Sequence, residues 1–410
     1  MEGFAHVMFG PPSSSGAWGC ARASTCAASR GEPHARATPA TRASRSDIPP
    51  HRKEDIVTVI VPAYNAARTL EATLSSVRNQ THGALEILVV DDGSTDATPE
   101  IARRAAHADP RVRLIRQPNR GVAAARNAGL VEAWGAYVAP VDADDLWHPR
   151  KIELQLDAAR RVGEALAFVY AWSRRIDEAD VVLADLGPVR WRGDVFPMLA
   201  VSNFLRNASN ALIPTEPLRA LGGFDPMLRA AGAQGAEDLK VLLALARRGF
   251  VEVVPAYLVG YRASSRTMSG SAQTMRRSIE LVLAETAEGD CRLPAQALHV
   301  ATVNYDLYAA DRALNSRDLR RFANFLFKAL RRDPILAVRL GLAAAWDRIS
   351  YRSSRAGACR FLDLDPESPL IAGRTLNLVD DVLERALARA VPPQDARNGG
   401  KQCKHRSKNP

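Results

Sequence analysis

What most limits the fold of this chain is an unbroken run of mainly β-branched residues, Val57-Thr58-Val59-Ile60-Val61, closed by Pro62. A strand without polar alternation must be covered on both faces, as strands of parallel sheets are. Three similar runs follow at residues 86–90, 112–116 and 137–141. The stretches between them have a helical period: residues 66–77 put Leu70, Leu74 and Val77 on one face, and 97–107 and 122–133 read as helix too. Strand and helix thus alternate four times, which predicts an α/β, doubly wound (Rossmann-like) mixed sheet with its ligand beyond the carboxyl ends of the strands. Short strands are expected at 167–170, 181–183 and 211–213, and a helix at 238–248. From about residue 275 to 390 the pattern is nearly all helix, the mark of a C-terminal helical region.

Composition bounds the function. With 410 residues, 47% of them hydrophobic, the chain can bury a large core. Its net charge of +10 invites a nucleic-acid reading, but the charge sits at the ends. Residues 1–53 carry about +4 and the stretch from Asp395 another +4, leaving a nearly neutral body with no groove for many phosphates. Residues 1–53, rich in Ala, Ser, Arg and Pro, and residues 393–410 are expected to be disordered. The five cysteines, Cys20, Cys26, Cys291, Cys359 and Cys403, have no paired spacing and fit a reducing compartment. The most apolar stretch, residues 335–346, is interrupted by Arg339 and falls short of the roughly 20 residues that cross a bilayer.

Two acidic clusters close expected strands. In Asp142-Ala143-Asp144-Asp145, an extended backbone would turn Asp142 and Asp144 to one site and Asp145 away. Paired carboxylates repel unless a cation joins them, and Mg²⁺ or Mn²⁺ suits such oxygen ligands. The same residues also suit a solvated loop that caps a helix. In Asp91-Asp92-Gly93-Ser94 one carboxylate can accept from a nucleobase ring N–H against the loop Ala63-Tyr64-Asn65, while the sequence is equally what a turn requires. Glycine-rich phosphate loops are absent after both strands, so a bound pyrophosphate would depend on a metal.

Taken in order, Val57 to Asn65, Gln80-Thr81, Glu86 to Asp96, Asn119-Arg120-Gly121, Ala125-Arg126-Asn127-Ala128-Gly129 and Asp142 to Asp145 closely resemble family 2 glycosyltransferases of the GT-A fold. Gly222-Gly223-Phe224-Asp225, Glu237-Asp238 and Tyr261-Arg262 extend the resemblance to about residues 57–270. It implies a domain at 54–270, followed by a helical region at 271–392. It also implies that Pro62, Tyr64, Asn65 and Asp92 form the base side of a donor site, that Arg126 lies near the nucleotide, and that Asp142 and Asp144 serve the ribose and a Mg²⁺ or Mn²⁺ ion on the diphosphate. Inversion would use Asp238 as base, with Glu237 second. Trp172, Asn210 and Phe224 are acceptor-side candidates, although packing explains Trp172 and Phe224 as well.

The implied activity is transfer of a single sugar from a nucleotide-diphosphate donor, expected to be a UDP-sugar, to a saccharide, lipid-linked or peptide acceptor in cell-surface glycan synthesis. The expected location is cytoplasmic, at the inner face of the membrane, where the cationic ends could dock. Departures from the family pattern are visible. Ala263-Ser264-Ser265 stands where members often have a metal-binding His, and Arg190-Trp191 lacks the upstream Gln of processive synthases. His148 is a candidate substitute ligand, though its place beside Trp147 and Pro149 suits a structural role. Two rivals remain: a non-catalytic glycosyltransferase-like scaffold, and a sugar nucleotidyltransferase, which would need a basic glycine-rich loop where Ala63-Tyr64-Asn65-Ala66 stands.

Overall fold

The computed structural model describes residues 56–186, 188–262, 271–288, 290–353, 359–368 and 378–391, and in it the run that opens the pattern becomes the centre of a sheet. All seven residues of β1 (Val57–Ala63) are buried. β1 lies parallel to β2 (Leu85–Asp91) on one side and β4 (Tyr137–Pro140) on the other, with Ile60 opposite both Leu88 and Pro140. β3 (Val112–Arg116) extends the sheet beyond β2. The crossovers are α1 (Leu70–Arg78), α2 (Thr98–Ala108) and α3 (Val122–Glu132), close to the expected helices. A two-residue β8 (Ile213–Pro214) caps the far edge antiparallel to β4, giving the order β3-β2-β1-β4-β8. The carboxyl ends of the parallel strands therefore open on one edge, where both acidic clusters lie.

The mixed α/β architecture is the one expected, and it includes a second sheet. That sheet has the order β5-β9-β6-β7, built from β5 (Leu146–Trp147), β6 (Leu166–Ile176), β7 (Val182–Leu186) and β9 (Phe250–Arg262). The residues expected to form a four-residue strand at 167–170 lie within an 11-residue one, and β9 was not foreseen at all. Pro255 hides β9 from a reading of local pattern, because proline argues against an inner strand. The pairing absorbs it with a register shift, Ala171 facing Val254 and Trp172 facing Tyr257. Between β5 and β6 runs α4 (Lys151–Val162), and before β9 come α5 (Phe196–Val201), α6 (Thr215–Ala220), α7 (Met227–Ala230) and α8 (Glu237–Ala246).

The helical region follows as α9 (Ala272–Ala287), α10 (Ala295–Asn315), α11 (Leu319–Arg332), α12 (Pro334–Ser353) and α13 (Leu378–Ala390). One buried apolar cluster runs through Phe168, Leu239, Ile279, Val300 and Leu383, so these helices share the core of the sheets instead of hanging from it. Among the described residues no helix is long and apolar enough to cross a membrane.

One buried acid ties the first sheet together. Glu86 of β2 accepts from Thr58 Oγ1 of β1 at 2.6 Å, from the Trp134 amide at 3.0 Å and from Arg113 of β3 at 2.9 Å. Burial outweighs these donors and raises its pKa from 4.5 to about 7. Glu86→Ala would strand the donors and the guanidinium. It is expected to cost about 3–5 kcal/mol in urea unfolding. Because the folded pKa is the higher one, the contribution of the carboxyl is full below pH 4.5 and declines as pH rises through about 7. The cost of Glu86→Ala should therefore be smaller at pH 8 than at pH 5.

Candidate active site

Past Pro140 the chain does not stay extended. The Asp145 amide bonds back to the Asp142 carbonyl at 3.0 Å, so residues 142–145 form a turn, and the two-residue alternation expected for Asp142 and Asp144 does not apply. The turn brings the carboxylates together by another route. Asp144, partly buried, has its pKa raised from 3.8 to about 6, first by burial and then by the Asp142 charge. Asp145 is fully buried and holds the turn in place. Its carboxylate accepts from the Ser209 hydroxyl and, at 2.9 Å, from the Arg262 amide. Arg262 also donates from Nε to the Asp144 carbonyl at 2.7 Å and pairs with Asp180 at 2.6 Å. Ser209 in turn accepts from the Asp142 amide at 3.0 Å. Neither Ser209 nor the purpose of Arg262 was legible beforehand, since both act only through contacts distant in sequence.

The centre of the site is Arg126, 2% exposed on α3. It donates to Asp142 Oδ1 at 2.7 Å and to Glu237 Oε1 at 3.2 Å, with its guanidinium 5.3 Å from the centre of the Phe224 ring. One cation thus bridges the turn after β4 and the first residue of α8. Its own pKa is raised; burial opposes the charge, and Asp142, Glu237 and Asp238 more than compensate. Glu237 spends its second oxygen on the Gly235 amide at 3.0 Å. Asp238 is less committed, accepting from the adjacent Leu239 amide at 2.7 Å. Its side chain stays partly accessible although protein packs closely round it. Burial, then the Glu237 charge, raises its pKa from 3.8 to about 7. Three carboxylates, those of Asp142, Glu237 and Asp238, therefore converge on a single guanidinium, with Asp144 beside Asp142.

Two of the ordered motifs are braces for this assembly. Asn127 donates to the Phe224 carbonyl at 2.6 Å and accepts from its amide at 2.7 Å. Gly223, at φ +76°, is pressed so close that an added Cβ would lie 2.4 Å from Asn127 Oδ1, and only glycine fits there. Asp225 pairs with Lys240 of α8 at 2.7 Å, so the loop before α8 is tied to both α3 and α8.

At the neighbouring strand end, Asp92 is buried and accepts from Gln117 Nε2 at 2.7 Å and from the Arg120 and Gly121 amides at 2.8 Å each. These bonds make Asp92 an anchor of the loop entering α3. Asn65, at φ +49°, accepts from the Thr95 amide at 2.9 Å and gives its own amide to Ser94 Oγ at 3.0 Å. Pro62 is buried in β1, while Tyr64 is 52% exposed beside this loop.

The acceptor-side candidates are buried. Trp172 donates from its indole to the Val189 carbonyl at 2.7 Å, and Asn210 satisfies its amide through the Ala171 amide, Ser173 and the Leu205 carbonyl. Phe224 backs Arg126. All three are occupied in packing, because the segments around them fold inward.

Among the described residues no set of three or more His, Cys, Asp or Glu side chains is arranged for an ion. Residues 263–265 lie outside the described part, and His148 takes the Arg150 amide at 3.3 Å, with burial first and then the Arg150 and Arg174 charges lowering its pKa against the opposing Asp365. Asp142 keeps Oδ2 outside its ion pair, and the Asp144 carboxylate accepts from no other described residue. Mg²⁺ needs only one or two protein carboxylates when phosphate oxygens complete its shell, so the pair fits a hard divalent cation.

Residues 58–218 match the family model "Glycosyl transferase family 2". The chain is similar to the chondroitin synthase of Pasteurella multocida, 35% identical over 130 residues that make up 32% of this chain and 13% of that protein. It is also similar to the uncharacterized glycosyltransferase YibD of Escherichia coli, 45% identical over 103 residues, 25% of this chain and 30% of that one. The matched part spans less than a third of these curated relatives. Among solved structures, the mannosyltransferase PcManGT from Pyrobaculum calidifontis in complex with GDP-Man and Mn²⁺ aligns at a TM-score of 0.46 and 23% identity, covering 81% of this chain and 86% of its own.

Proposed function

From the match of residues 58–218 to the glycosyl transferase family 2 model we propose that this chain transfers one sugar, with inversion, from a nucleotide-diphosphate donor to a saccharide, lipid-linked or peptide acceptor in cell-surface glycan assembly. The observation that carries the proposal is the convergence of the Asp142–Asp144 turn and the Glu237–Asp238 helix start on Arg126 at the carboxyl edge of the parallel sheet. Residues 54–270 would form the transferring domain, with the helices of 271–392 beside it as the acceptor platform.

Asp238 is the group that can take a proton. Glu237 is held by Arg126 and the Gly235 amide, whereas Asp238 has a carboxyl raised to about 7 and an accessible side chain. A carboxylate with that affinity removes the proton of an acceptor hydroxyl as its oxygen bonds to the anomeric carbon and the bond to the diphosphate breaks. Arg126 keeps Asp142 and Glu237 at fixed separation, so the donor side and the base side stay in register. A divalent ion held by Asp142 and Asp144 would act as Lewis acid toward the departing diphosphate.

The test is a thermal-shift and turnover screen with UDP- and GDP-sugars, with and without Mn²⁺. A donor that raises Tm only together with the ion, and releases nucleoside diphosphate, is the expected result. If no donor shifts Tm or is turned over, with or without Mn²⁺, the scaffold reading replaces this one.

A further inference from the structure

α12 has two apolar faces. Leu336, Ala337, Leu340 and Ala343 are buried against the rest of the protein, while Ile335, Val338, Leu342 and Trp346 are 72, 50, 67 and 61% exposed. Spacings of three, four and four residues align the exposed four along one side of the helix for about 16 Å. The preceding helix, α11, buries Phe325 and Ala329 and exposes Phe327, at 63%. α11 also carries Arg320, Arg321, Lys328, Arg331 and Arg332 with no acidic residue, and Arg339 follows on α12. Arg321 pairs with Asp318, and Arg332 approaches Asp306 at 3.7 Å. Among the described residues, Arg320, Lys328, Arg331 and Arg339 have no carboxylate partner.

An exposed apolar stripe of this length marks a contact surface. A nucleic acid would satisfy the cations and leave Leu342 and Trp346 in water. An uncharged protein surface would do the reverse. The interface of an anionic bilayer satisfies both, taking Trp and Leu to the depth of the headgroups and the cations to its negative surface.

We propose that the α11–α12 surface docks this protein on anionic lipid, with Ile335, Val338, Leu342 and Trp346 entering the interface and Arg320, Lys328, Arg331 and Arg339 meeting headgroup charge. This differs from docking through the basic chain ends, and it is independent of the donor chemistry.

The test is sedimentation of the full chain with vesicles of phosphatidylcholine alone or mixed with phosphatidylglycerol. Binding to the mixed vesicles only is expected. Each cation at such a surface is worth about five-fold in affinity, so Arg320→Glu with Arg331→Glu should weaken binding by at least ~10-fold. Leu342→Glu with Trp346→Glu should do the same at unchanged Tm. Equal binding by the double variants would assign the contact to the chain ends and overturn the proposal. Binding to neither vesicle would overturn it too. So would a wild-type dimer, by light scattering, that the apolar variant makes monomeric, since the stripe would then be a self-interface. A Tm lowered by the apolar variant would show the stripe to be covered by the chain itself, with the same consequence. No donor turnover enters these readouts, so this proposal and the transferase reading fail separately.

Discussion

Asp144→Asn is expected to lower the turnover of a nucleotide-sugar donor by roughly 10³-fold while leaving the metal-free protein folded. The loss follows from removing half of the carboxylate pair. Neutralising charge on a departing diphosphate is worth several kcal/mol, and about 1.4 kcal/mol is tenfold in rate. The fold should survive because the Asp144 carboxylate accepts from no other described residue, and its raised pKa means its charge is held there at a cost. Metal-free Tm should be unchanged or slightly higher, and the Tm rise on adding donor with Mn²⁺ should vanish. If the variant keeps a wild-type Mn²⁺ response, Asp144 holds no ion, and the assignment of this turn is wrong. Asp145→Asn should behave differently. Asp145 is the buried anchor for Ser209 and Arg262, so its loss should appear first as lowered Tm.

Asp238→Asn is expected to cost about 10²- to 10⁴-fold in kcat with donor affinity retained, the range for loss of a positioned base. The pH profile carries the sharper information. A base at Asp238 would work only when deprotonated, so the wild-type rate should rise with pH through its titration, centred near 7 before any cation adds its charge and lower once one is bound. The Asn variant should lose that ascending limb. Glu237→Gln should cost less, because Glu237 is occupied with Arg126 and the Gly235 amide. A profile in Asp238→Asn that still rises over the same range would move the base elsewhere.

Particular elements show how much could be read beforehand. The strands at 57–63, 85–91, 112–116 and 137–140 and the helices between them were legible because each is a local pattern: a buried run, a helical stripe, a turn sequence at the end. β9 was not, since Pro255 argues locally against a strand that pairing with β6 nevertheless stabilises. The site divides the same way. Asp142, Asp144, Arg126 and the Glu237–Asp238 pair could be named from motif order, but the ion pairs that join them cross 16 and 111 residues of sequence. Asp92 adds a further case. Its acidic turn was visible, yet its bonds to Gln117, Arg120 and Gly121 make it a loop anchor that no local reading contains.

The sequence by itself determined the alternating α/β class, the edge of the sheet at which acidic residues would gather, and the order of the motifs, because period and turn chemistry are properties of neighbours along the chain. Tertiary structure alone decided which carboxylates Arg126 holds, which is buried as an anchor for Ser209 and Arg262, and which apolar residues of α12 face outward. Those outcomes depend on burial and on partners from distant segments, and a side chain acquires both only when the chain closes around it.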